Sequence, residues 1–127
     1  MHEQHLYDYA VIRVVPKVER EEFINVGLML YCKRQKYLRI QYQIPAEKII
    51  LFCTEFDLDQ LKVNLDSFVA ICEGKKGAGP IAQFEKDERF RWLTAIKSSS
   101  IQTSRPHSGF SKALDATFDK LYNELVL

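Results

Sequence analysis

Five glycines, four prolines and three cysteines in 127 residues leave little material for several familiar chemistries. Cys32, Cys53 and Cys72 are odd in number and show neither C-x-x-C nor close histidine spacing, which excludes a disulfide framework and a zinc site; buried, reduced thiols are expected. Three of the five glycines fall in Glu73–Pro80, and that segment lacks the four-residue glycine spacing followed by Lys and Ser or Thr of a phosphate-binding loop, so it reads as a flexible loop. No G-x-S-x-G elbow supports a serine nucleophile. No run approaches the roughly 18 apolar residues of a membrane helix. Excess charge is missing too: 18 basic against 17 acidic residues give a net charge of +1, no global field for nucleic acid or anionic lipid. Any anion site must be local. The start, Met1-His2-Glu3-Gln4-His5, has an acidic residue and no apolar core, so no secretion signal is expected and the cytoplasm is the expected compartment.

What is present is an ordinary globular composition, 46% hydrophobic and 28% charged, expected to fold as one domain over 1–127. Leu6–Val15 alternates as a strand, with Tyr7, Tyr9, Val11, Arg13 and Val15 opposite Leu6, Asp8, Ala10, Ile12 and Val14. Phe23–Cys32 is nearly all apolar, as for a central strand covered on both faces, and Gly27 within it predicts a bulge or close backbone approach. Tyr37–Gln43 returns as a third strand. Pro45 opens a short helix, Ala46–Cys53, whose apolar content implies burial. A longer helix follows, with Asp57 as cap, Leu58, Leu61, Leu65, Phe68, Val69 and Cys72 at helical spacing, and Gly74 at its end. Asp87–Ile96 is predicted helical, Ser98–Ser104 a fourth strand, and Pro106–Gly109 a turn. Ser111 caps a last helix with Leu114, Phe118, Leu121, Tyr122 and Leu125 on one stripe. The resulting fold class is α+β, an antiparallel sheet of three N-terminal strands plus one later strand, with helices packed mainly on one face.

Polar residues threaded through apolar strands are the candidate site: Arg13, Arg20, Glu22, Asn25, Arg89 and His107, from three separated segments. Arg13 is expected to pair with a carboxylate, Glu22 first, because an unpaired guanidinium between strands is strongly disfavoured. The alternative is an arginine cluster that grips a phosphate or carboxylate by forked hydrogen bonds. Arg89 and Arg91 stand two apart on a helix and diverge, while Phe90 and Trp92 suit core or interface anchors. His107 is the one acid–base candidate, and no nucleophile or orienting carboxylate can be assigned around it. Catalytic residues therefore stay unassigned, and no cofactor or metal is called for.

Tyr7, Tyr9, Arg13, Pro16, Arg20, Glu22, Asn25, Val26 and Gly27, then Glu88-Arg89-Phe90-Arg91-Trp92-Leu93, and finally Gln102, Thr103, His107 and Gly109 resemble the marks of the domain-of-unknown-function family numbered three thousand and thirty-seven. The resemblance implies a small bacterial protein often encoded beside a HipA-like kinase, with no catalytic residue to carry over. Two readings follow. One is an accessory or regulatory binding protein for a HipA-like kinase or for itself, in association with a toxin–antitoxin system, using sheet anchors such as Tyr7, Tyr9, Tyr37 and Arg39. The other is a small enzyme or ligand-binding domain for a phosphorylated or nucleotide-like anion, which requires those arginines to converge. The weak catalytic inventory argues against an enzyme.

Overall fold

The computed structural model describes residues 3–95 and 100–127. Strands β1 (His5–Val14), β2 (Ile24–Cys32) and β3 (Tyr37–Tyr42) form an antiparallel meander. Helices α1 (Ala46–Phe52), α2 (Leu58–Cys72) and α3 (Lys86–Thr94) follow, then β4 (Ile101–Thr103), β5 (His107–Ser111) and α4 (Leu114–Leu125). The sheet order is β3-β2-β1-β4, and β5 also pairs with β1. The architecture is α+β as expected, with five strands in place of four.

The extra strand occupies the predicted turn. Ile12–Val14 pair with Ile101–Thr103, Tyr9 pairs with His107, and the register changes by one between them. Arg105 and Pro106 together therefore oppose Ala10 as a bulge, and β4 and β5 are two halves of one broken strand. At the break, the Ser104 amide donates to the Val11 carbonyl (2.8 Å), and the Val11 amide donates to the Ser104 hydroxyl (2.9 Å). A side-chain oxygen thus replaces a missing ladder carbonyl, which explains why this serine is buried. Of the predicted strand Ser98–Ser104, Ser98 and Ser99 lie outside the described residues.

Three of the four described α-helices pack on one face of the sheet, in line with the expectation of helices mainly on one face, and α4 covers the other. Ala10, Ile12, Val14, Ile24, Val26 and Met29 meet Ile49, Leu61, Leu65, Cys72, Phe90 and Leu93 of α1–α3. On the opposite face Val11, Leu28, Leu30 and Cys32 meet Leu114, Phe118, Tyr122 and Val126. A strand whose alternate residues are both apolar must be covered twice, and the α4 stripe supplies the second cover. Cys32 and Cys72 consequently sit on opposite sides of the sheet. Burial pushes the Cys72 thiol up to about 12.

Asp57 caps α2 by accepting from the Gln60 amide (2.9 Å), and Gly74, at φ +69°, ends it. In β2, Gly27 pairs with Ile12 and Asn25 with Arg13, leaving Val26 as the bulged residue. A Cβ on Gly27 would lie 2.8 Å from the Gln41 carbonyl oxygen, so the close approach and the bulge occur together. Helix α1 is not the buried helix its composition suggested. Only Ile49 is buried, and Leu51 is 85% exposed, because a two-turn helix at the sheet margin has one side to bury.

Candidate binding site

The bulge in β2 turns Asn25 toward the α4 side, directly opposite Arg13, while Gln102 of β4 faces Arg13 from the other side. Three adjacent strands thus carry a polar row, Asn25–Arg13–Gln102, at the end of the sheet where α4 stops. The Asn25 amide nitrogen donates to the Leu125 carbonyl (3.0 Å), satisfying one of the acceptors left free at a helix C-terminus. The Arg13 guanidinium carbon lies 4.1 Å from the centroid of the Phe23 ring. Two buried atoms of this row have no hydrogen-bond partner among the described residues: the Arg13 Nε donor and the Asn25 Oδ1 acceptor. Buried polar groups are nearly always satisfied, so this row departs from the usual pattern of a sheet interior. An open cleft of about 380 Å³ adjoins the row, lined by Phe23, Asn25, Lys48, Phe52, Leu125 and Leu127 among others.

The ion pair expected between Arg13 and Glu22 does not form. Glu22 pairs instead with Arg20, both exposed, and the two line a neighbouring cleft with Leu51 and Phe52. A carboxylate two residues from an arginine in the same turn reaches it at lower entropic cost than one across a strand, and Arg13 is only partly buried and shielded by a ring. The stacking of Phe23 on Arg13 was not legible, since spacing marks Phe23 only as the first apolar residue of a strand.

Arg89 lies elsewhere, beneath the three-helix side. Its Nε donates to the Cys72 carbonyl (3.1 Å) and its Nη1 to the Phe84 carbonyl (2.6 Å), so it joins the end of α2 to the segment leading into α3. A Cβ on Gly74 would come within 3.0 Å of that guanidinium, a second reason for glycine there. Arg91 is paired with Asp87 one turn earlier (3.2 Å). His107 belongs to β5, exposed, with its ring 5.3 Å from that of Tyr9. It shares the face of Arg13 but stands opposite Tyr9, four residues or roughly 13 Å along the strand. Of the six residues picked from sequence, Arg13 and Asn25 come together, Arg20 and Glu22 form an adjoining pair, and Arg89 and His107 stand apart.

Two of the proposed interface anchors are committed to α4. The Tyr37 hydroxyl donates to Asp115 (2.5 Å), and Arg39 pairs with Asp115 (3.3 Å) and Asp119 (3.2 Å) while lying 4.1 Å over the Phe118 ring. Burial and the Asp115 hydrogen bond together push the Tyr37 phenol up to about 12. Tyr7 and Tyr9 remain half-buried beside the helix. Among the described residues no group of three or more His, Cys, Asp or Glu side chains is placed to hold a metal ion. Nor is any described helix long and apolar enough to cross a membrane.

The family described as a protein of unknown function, DUF3037, matches residues 9–126, nearly the whole chain. No curated protein and no solved structure matches it.

Proposed function

The chain belongs to the DUF3037 family, and from that premise we propose that it is an accessory or regulatory binding protein whose partner is a HipA-like kinase or a second copy of itself. What supports this reading is where the charge and the grease go. Arg20, Arg39, Arg89 and Arg91 are engaged by internal carboxylates or carbonyls, while large apolar side chains such as Leu51, Phe23, Leu6 and Phe110 stand open to solvent. Catalysts of anion chemistry keep their cations free and convergent, whereas binding modules leave apolar anchors exposed. Co-expression with a HipA-like kinase from the same source, followed by size-exclusion chromatography with light scattering, tests it. A stoichiometric complex or a concentration-dependent dimer is expected, and a strict monomer that ignores the kinase would overturn it.

A second reading, a ligand-binding domain or small enzyme for a phosphorylated or nucleotide-like molecule, draws on the cleft that Asn25 lines and on Arg13, paired with Asn25 across the strands. Calorimetry with phosphate and nucleotide panels tests it. Heat that disappears in Arg13→Met would favour it, and no heat from any member would dismiss it.

A further inference from the structure

The sheet ends on β3 at one margin and on the broken β4–β5 strand at the other, and the pairing of β5 shows which of its backbone groups face outward. The Val11 amide and carbonyl both point to the fourth strand, toward Ser104, and the Val15 amide donates to the Ser100 carbonyl (2.7 Å). Backbone groups alternate in direction along an antiparallel strand, so Tyr9 and Tyr7 point the same way and bond His107 and Gly109. Ser108 and Phe110 must then direct their N–H and C=O outward, and no other described strand pairs with that side. Four backbone groups stand ready for an added strand. Phe110 is 65% exposed and sits directly across from Leu6, 55% exposed, so an apolar pair lies next to the open edge. Edges are ordinarily blunted by proline, charge or a cover, and here Pro106 and the cations Arg105 and Lys112 stand at the ends, leaving Ser108 and Phe110 between them clear of both.

We propose that β5 is a strand-addition site that takes an extended segment of a partner protein, with apolar residues at its centre and acidic residues at its ends. This rests on the interaction reading above and names its surface. The ends of the strand decide the occupant: Arg105 and Lys112 flank it, both exposed and in none of the ion pairs formed by the described residues. Two copies paired antiparallel through Ser108 and Phe110 would bring Arg105 of each near Lys112 of the other, like charges at both ends. An acidic segment meets the same cations favourably, the outward amides supply main-chain affinity, and Phe110 with Leu6 offers contact to alternate side chains.

The test uses the full chain and two labelled peptides of alternating valine and threonine, one flanked by glutamates and one by lysines. Fluorescence anisotropy should show the glutamate-flanked peptide binding at least tenfold more tightly, with slowed hydrogen exchange at the Ser108 and Phe110 amides. Ser108→Pro removes an outward donor while leaving the His107 and Gly109 bonds to β1, and should weaken binding about tenfold. Ser108→Ala keeps the donor and should stay within about twofold, which separates strand addition from loss of the hydroxyl bond to Asp8 (2.6 Å). Equal binding of both peptides, or exchange protection away from β5, overturns the proposal. A dimer abolished by Ser108→Pro overturns the acidic occupant. A kinase complex that survives Ser108→Pro and Phe110→Ala sinks this surface while the interaction reading stands, and loss of all binding by the native chain sinks both.

Discussion

On one face of the sheet, three helices from the middle of the chain share a large aliphatic core; on the other, a single helix from its end does the covering. The three-helix face closes its margins largely with backbone, through Arg89 reaching two carbonyls and Thr94 and Thr103 bonding nearby main chain, with Tyr42 bonded to Asp66 at the β3 side. The α4 face is ringed by polar side chains: Tyr37 and Arg39 at the start of the helix and Asn25 at its end. A lone helix cannot cover a sheet to its edges, so the residues beside it must satisfy themselves in partial contact with water. Arg39 does this by laying its guanidinium on Phe118 and its charge on two aspartates. The contrast places the chemically versatile residues, Arg13, Tyr7, Tyr9 and His107, on the thinly covered face.

The comparison breaks most readily at Phe118, which is fully buried and stacked with Tyr122 at 6.1 Å. Phe118→Ala should cost about 3–5 kcal/mol in urea unfolding, and a transition that splits in two would show α4 coming away from a surviving three-helix half. Arg89→Met comes next, at about 1–3 kcal/mol, because it strips a charged donor from two carbonyls. A neutral result would show that Arg89 is free for ligands after all. Arg39→Met should cost under about 1 kcal/mol, since its aspartates are exposed and its aliphatic stem still covers Phe118. The smallest effect is one of pH. With the folded Tyr37 phenol near 12 and its ordinary value at 10.0, its contribution to stability is complete below pH 10 and lost as pH rises toward 12. Tyr7, Tyr31, Tyr42 and Tyr122 are raised as well, so phenolate absorbance should show several tyrosines titrating late, and Asp115→Asn should bring one of them, Tyr37, earlier.

Strands β1–β3 and helices α2 and α4 were legible because their apolar residues repeat at periods that burial enforces. Strand β5 was not, since Pro106 and Gly109 are turn residues by composition. In place, Pro106 sits in the bulge and Gly109 lies under Tyr7, whose hydroxyl oxygen would be 2.5 Å from any Cβ there. The division of helices between faces was hidden for a related reason: alternation says that both faces of β1 and β2 need cover, and says nothing of which helix goes where. In the site, the kinship of Arg13 and Asn25 depended on a one-residue bulge, which shifts every later partner. Glu22 pairs with Arg20, two residues away, and Arg13, half-buried against Phe23, stands without it.

Strand β1 is the keel of this sheet: it pairs with β2 on one side and with both halves of the broken fourth strand on the other. The Val11–Ser104 bond spans 93 residues and the Asn25–Leu125 bond 100. During synthesis, then, β1 emerges long before its partners on that side, with one edge bare until residues 101–111 have emerged. Such long-range closure makes for slow folding and leaves that edge open to mistimed pairing in the meantime.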